Sequence, residues 1–250
     1  MNVSLYQAAS ALNASNRWQE VIAENLASSS TPGFKKQDLS VSGIAGGALP
    51  TSSGQPAGSS TQFVLPKASF TTSFAPGEMK YTGVNTDVAV QGPGFFEVQL
   101  PNGSIGYTRD GEFQLDSQGR LVTKEGYLVM SSGGSIQMDQ RLGAPLAISA
   151  DGEVSQGPDQ KGKLNLVEFN DPKLLTQISG GYFIAANPNL QTQAATQSTV
   201  RQGYLEGSNS NPVTEMANMM VALRNFEANQ RTIQIQDDRM SKSIHDLTQS

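Results

Sequence analysis

Cysteine is absent from this chain, which excludes disulfides, thiolate metal sites and cysteine nucleophiles. The absence also suits a protein that works outside the cytoplasm without oxidative folding. Histidine is almost absent: His245 stands alone, with no second imidazole to share a metal. Near the end of a C-terminal helix it interacts favourably with the helix dipole, a structural role. Positive charge is scarce, with 17 Lys and Arg against 22 Asp and Glu and a formal net charge of −5. Without a basic run, a nucleic-acid partner is not expected, because neutralising phosphates requires clustered cations. No apolar run approaches the ~18–20 residues of a membrane span. The opening MNVSLYQAASALNASNRWQEV lacks a basic n-region followed by an apolar core, so a Sec signal peptide is not expected and export would need another route. Aromatic residues make up only 7%, whereas Gly 25 and Pro 12 point to many turns and short strands. At 250 residues the chain has room for one large domain or two smaller ones.

Chemistry is equally hard to find. Asp237 and Asp238 are adjacent on a helix and do not face one site. Asp151-Gly152-Glu153 reads as a hairpin turn. No serine sits in a G-x-S-x-G setting. Gly92-Pro93-Gly94 follows a strand, but strand and not helix continues after it, so a phosphate-cradling loop is excluded. No catalytic constellation, cofactor site or metal site emerges, and no small-molecule substrate is implied.

What the chain does have is a matched pair of ends. Leu5, Ala8, Leu12, Ser15, Gln19, Ile22 and Leu26 fall at alternating spacings of three and four. So do Met216, Met219, Leu223, Phe226, Gln230, Ile233, Asp237, Met240, Ile244 and Leu247. This is the heptad seam of a coiled coil. Seams at both extremes imply that the termini meet, or that each meets the termini of neighbouring copies. A helix over residues 2 to about 29 ends at Pro32-Gly33. Ser15 and Gln19 weaken its seam, which predicts a helix disordered in the free chain and ordered on assembly. The second helix opens with Asn211 as N-cap and Pro212 at the first helical position. It runs to about Leu247, with Gln230 and Asp237 as register-fixing polar residues. Trp18 lies off the seam, either as a second contact face of the helix or as a merely exposed residue.

Between the ends, residues 37–62 are rich in Ser, Gly, Ala and Pro, the composition of a flexible linker. From about residue 63, short runs alternate with Asn-Gly and Asp-Gly turns: Thr86–Gln91, Phe95–Leu100, Ile105–Arg109, Glu112–Leu115, Arg120–Thr123 and Tyr127–Met130. Later strands are expected at Leu146–Ile148, Lys163–Phe169 and Tyr182–Ala185. This is an antiparallel β signature. Phe95 and Phe96 should point to opposite faces, either with core on both sides or with one ring in the core and the other under the linker or toward a partner.

Three separated motifs carry a family resemblance. Val21-Ile22-Ala23-Glu24-Asn25-Leu26-Ala27-Ser28 with Thr31-Pro32-Gly33-Phe34-Lys35-Lys36 resembles the N-terminal signature of the flagellar basal-body rod and hook proteins. Thr86–Gly92, Gly94-Phe95-Phe96, Tyr107–Gly111 and Gly119–Thr123 are similar to the family's central β signature. Gly203-Tyr204-Leu205-Glu206-Gly207-Ser208-Asn209, with Glu215-Met216, resembles its C-terminal signature. Glu24, Ser28 and Ser210 depart from it, standing where the family usually has Asn, Asn and Val.

The resemblance implies an α+β fold: an antiparallel all-β central domain with N- and C-terminal helices pairing as a coiled coil. The implied domains are an N-terminal helix over 1–30, an extended arm over 31–80, a β-rich outer domain over 81–207 and a C-terminal helix over 208–250. It implies a non-enzymatic subunit of the bacterial flagellar rod in the periplasm, exported through the flagellar type III apparatus without a cleaved signal peptide. Its partners are copies of itself and other rod proteins, and the rod transmits torque from motor to hook. The expected assembly residues are Leu5, Leu12, Ile22, Asn25, Leu26, Thr31, Gly33, Phe34, Met216, Met219, Leu223, Phe226, Ile233, Met240, Ile244 and Leu247. Arg224-Asn225-Phe226-Glu227 with Gln236-Asp237-Asp238 looks closer to the proximal-rod F type than to the distal-rod G type. A hook-like axial protein and a secreted β-rich adhesin are the alternatives, together with a hydrolase whose carboxylates converge from different strands.

Overall fold

The computed structural model describes residues 3–49, 61–139, 143–178, 180–187 and 189–249. They form an α+β protein of two compact units, each assembled from separated stretches of chain. The first unit gathers Met1–Leu26, Gln37–Thr71 and Pro212–Ser250; the second gathers Ala27–Lys36 and Thr72–Asn211.

The first unit contains both long helices. Helix α1 spans Val3–Ala27, a stretch with no Gly or Pro. Helix α2 spans Pro212–Gln249, starting on the proline that needs no intrahelical donor at the first position. At 1.5 Å per residue its 38 residues extend for ~57 Å. The same unit holds two paired strands, Gln37–Leu49 and Thr61–Thr72. The segment read from composition as a flexible linker is therefore largely strand. Pairing draws on backbone amides and carbonyls, which Gly and Ser supply as well as any residue, so the lack of apolar side chains does not prevent it. Residues 50–60, the middle of that linker, lie outside the described residues.

The second unit is β-rich. Its largest sheet has ten strands. Across its main path lie Thr176–Gln177, Tyr182–Ile184, Ile105–Thr108, Phe95–Gln99, Leu128–Ser131, Leu121–Thr123 and Phe113–Leu115. A three-stranded sheet is formed by Leu146–Ile148, Glu153–Gln156 and Asp159–Lys163. Two further pairs join Val88–Gln91 to Thr199–Gln202 and Met79–Tyr81 to Tyr204–Glu206. The described pairings of this unit are antiparallel, as the hairpin signals require. The single strand expected at Lys163–Phe169 is instead split into Asp159–Lys163 and Leu166–Phe169.

Two hydrophobic cores lie in this unit, and the phenylalanine pair feeds both. Phe96 packs in the larger one, edge-on to Phe113 at 5.0 Å between ring centres. Phe95 packs in the smaller one against Phe74, Phe169 and Phe183. Strand alternation sends the rings to opposite faces, and both faces are covered. Neither ring is left for a partner, and Phe74, from the 31–80 segment, supplies part of the cover.

Candidate assembly sites

The three motifs, far apart in sequence, converge in the second unit around one buried carboxylate. Lys35 Nζ lies 2.6 Å from Glu206 Oε1, and both side chains are buried. Arg109 Nη1 reaches Glu206 Oε2 at 3.3 Å, with its guanidinium over the Phe95 ring. The Gly77 N–H also donates to Glu206 Oε1, at 2.8 Å. Lys35 donates a second bond to the Ala75 carbonyl at 2.9 Å. Two cations thus share one anion out of water. Burial pulls the Lys35 ammonium and the Arg109 guanidinium below their ordinary ranges, and the attraction of Glu206 opposes it in both.

Backbone bonds close the same knot. The Gly33 N–H donates to the Glu206 carbonyl at 2.7 Å. Asn209 accepts from the Lys36 N–H at 2.8 Å and donates to the Ser73 carbonyl at 2.7 Å. Gly33 turns the chain at φ +66°, where a Cβ would stand 2.2 Å from the Arg109 carbonyl carbon, so only glycine fits. Phe34 is fully buried and Thr31 half-buried. Beside the knot, burial raises the Asp110 carboxyl to about 7. The charges of Glu112 and Glu125 push it the same way, while the Glu112 N–H donated to Asp110 and the Lys124 charge oppose it.

In the first unit, Asn25 acts as a piece of backbone. It donates to the Gln37 carbonyl at 2.9 Å and accepts from the Gln37 N–H at 3.0 Å. This clamps the two ends of the 26–36 excursion. Along α1, Ala8, Ser15 and Ile22 are buried and Leu12 and Leu26 half-buried on the heptad line read from the sequence, and Asn25 is buried beside that line. Along α2 the line is displaced. Buried or half-buried positions are Asn218 and the four–three repeat Glu215, Met219, Ala222, Phe226, Asn229, Ile233 and Gln236. Met216, Leu223 and Met240, placed on the seam from sequence, are exposed. Asn229 Nδ2 of α2 donates to Ser15 Oγ of α1 at 3.3 Å. Leu5, Ile244 and Leu247 lie on the helices, but their side chains are outside the described set. Trp18 is half-buried and borders a hole between α1, α2 and Leu39.

Sequence reading quoted Lys35, Arg109, Glu206 and Asn209 inside motifs without giving them a role. A charged residue beside a phenylalanine in a short turn is a weak signal of burial. Nothing local announces that residues 171 positions apart form an ion pair. Among the described residues, no three His, Asp or Glu side chains gather as a metal site, and no helix is long and apolar enough to cross a membrane.

Comparison with known proteins gives the same three segments. Residues 5–35 match the family described as flagella basal body rod protein. Residues 89–156 match the D1 domain of the flagellar hook protein FlgE/F/G family, and residues 201–245 match the C-terminal domain of the flagellar basal body rod FlgEFG proteins. Over 233 residues the chain is 35% identical to the flagellar basal-body rod protein FlgF of Caulobacter vibrioides, covering 91% of each. It is 33% identical to FlgF of Escherichia coli over the full length of both. It is 32% identical to the rod protein FlgG of Buchnera aphidicola subsp. Schizaphis graminum, covering 96% of this chain and 97% of that one.

Proposed function

We propose, from the premise that this chain belongs to the flagellar basal-body rod protein family, that its terminal helices form the polymerising layer of the rod and that the rod carries torque from motor to hook. The chain is a structural subunit of the flagellar basal body, of F or G type, and it assembles with other rod components. In this reading α1 and α2 pair as a coiled coil and pack against the helices of neighbouring copies. The contacts are made by Leu5, Leu12, Ile22, Leu26, Met216, Met219, Leu223, Phe226, Ile233, Met240, Ile244 and Leu247, with Asn25, Thr31, Gly33 and Phe34 holding the turn between helix and arm. The paired strands of the 31–80 arm brace adjacent subunits, the 81–207 domain forms the outer layer, and the subunit reaches its place through the flagellar type III export apparatus. The position is the proximal rod, on the Arg224–Glu227 and Gln236–Asp238 spans.

The observation that carries the mechanical part is the knot at Glu206. It ties the chain just after α1 to the chain just before α2 through a buried ion cluster. An element that transmits torque needs its helices rooted in a fixed connection.

Electron microscopy of hook–basal bodies from a strain lacking this gene tests the reading. Rods missing or truncated next to the membrane ring are expected. Truncation farther out would move the subunit to the distal rod, and intact rods with normal swimming would overturn the assignment.

A further inference from the structure

Helix α2 carries, besides the apolar residues Met219, Phe226 and Ile233 on its covered line, a second apolar stripe that its own unit leaves uncovered. Val213, Met216, Met220 and Leu223 follow one another at spacings of three, four and three, and are 72%, 50%, 58% and 46% exposed. The covered side carries Glu215, Met219, Ala222, Phe226, Asn229 and Ile233. A surface helix normally shows a single apolar stripe, facing its core. The stripe's exposed surface is on the order of 400 Å², the size at which an apolar patch on a monomer is often functional, and about half of one partner's share in a standard interface.

The same unit has a receptor of matching character. The hole between α1 and α2 measures about 280 Å³ and is floored by Ala11, Ala14, Ser15 and Ala228, with Trp18 at its side. A cavity of ~150 Å³ already accepts benzene, so this one has room for more than one aliphatic side chain. Methionine suits it well, being flexible enough to fill an irregular gap and attracted through its thioether to an aromatic ring.

We infer that the Met216–Met220 stripe of one copy seats in the Trp18 hole of a second copy. The occupant cannot come from the same copy. At ~100° per residue the stripe lies roughly 150° around the α2 axis from Asn225, Ala228 and Asn229, which line the hole. The two surfaces are different and face apart, so the contact is heterologous. Repeated without closure, such a contact builds an open row of subunits. With half a standard interface per contact, each is weak alone and holds only where several combine, as at the tip of a growing assembly. This inference rests on the rod reading and names the partner of the helical face that the rod reading invokes.

The cysteine-free chain makes the contact directly testable. The variant Ala14→Cys/Met220→Cys is expressed as the only copy, hook–basal bodies are purified and mildly oxidised, and a non-reducing immunoblot is read. A ladder at multiples of the subunit mass, lost in each single variant, is expected. The pair Ala11→Cys/Leu223→Cys should repeat it independently. A dimer from Met220→Cys alone would mean a symmetric stripe-to-stripe contact and overturn the inference. An adduct whose mass includes a different axial protein would overturn the second copy as occupant. Monomer only, with the chain present in the basal bodies, would overturn the contact while leaving the rod reading intact. Absence of the chain from basal bodies would overturn both.

Discussion

At the scale of single residues, the charge balance of the knot makes unequal demands on its members. Among the described residues, Glu206 is the anion that pairs with both Lys35 and Arg109. Removing it leaves two buried cations unpaired, and Glu206→Ala should cost ~3–5 kcal/mol. Lys35→Met leaves the Arg109–Glu206 pair balanced and keeps the Gly77 N–H on the carboxylate, so its cost should be clearly smaller. Urea denaturation of both variants decides; equal losses would mean that packing, not charge, holds the site. Asp110 gives a second prediction, with a defined sign. The folded chain keeps its proton to about pH 7, against 3.8 for the ordinary carboxyl. Between those values the folded state binds more protons, so this group's contribution is full below about pH 4 and is lost as pH rises to 7. Asp110→Asn keeps an oxygen to accept the Glu112 N–H and removes the titration. It should therefore be more stable than the parent at pH 8, by on the order of a few kcal/mol, with the advantage gone by pH 4. Parallel melts at the two pH values measure it, and an advantage independent of pH would rule out the burial of the charge as its cause.

At the scale of elements, the comparison of sequence with structure turns on which signals are local. The hairpins at Asn102-Gly103 and Asp116–Gly119 were legible because these turns join paired runs, whereas Asp110-Gly111, read as a further turn, connects strands that do not pair. Helix α1 was legible with its face, since Ala8, Ser15 and Ile22 both fit the period and are buried. On α2 the expected face is covered only in part: Met219, Phe226 and Ile233 are half-buried, whereas Met216, Leu223 and Met240 are exposed. Apolar spacing shows that a stripe will be covered, not by what, and here part of the apolar seam points outward while Ala222 is fully buried. The strand Gln37–Leu49 was missed because ladder bonds leave no mark on composition. The knot was missed because its pairing is set by the whole fold. The displaced seam separates two substitutions. Ala222→Leu should overpack the inner line and cost ~1–3 kcal/mol in the free subunit. Met216→Ser, on the exposed stripe, should change free-subunit stability by no more than ~0.5 kcal/mol and yet reduce incorporation into basal bodies. Thermal melts beside immunoblots of purified basal bodies distinguish the two. A large stability loss in Met216→Ser would return that residue to the inner seam.

At the scale of the whole molecule, stability is unevenly distributed, and the unevenness has a direction. The second unit is closed around two buried cores and an ion knot. The far end of α2 is different: described side chains from Asp237 to Lys242 are all exposed, so little holds that part of a ~57 Å helix in the free chain, since helices take most of their stability from packing. Hydrogen exchange in the purified subunit should then be slowest in Phe95–Gln99 and Leu121–Thr123 and fastest beyond residue 237. The same amides at the end of α2 should become protected in intact basal bodies, where neighbouring copies cover them. Protection at core levels in the free subunit would mean that the helix is already fully ordered, and assembly would then have to be restricted to its site by something other than folding on contact. Protection gained only in the basal body would make ordering of the helix end part of incorporation itself, and a soluble subunit would lack a finished surface on which to polymerise prematurely.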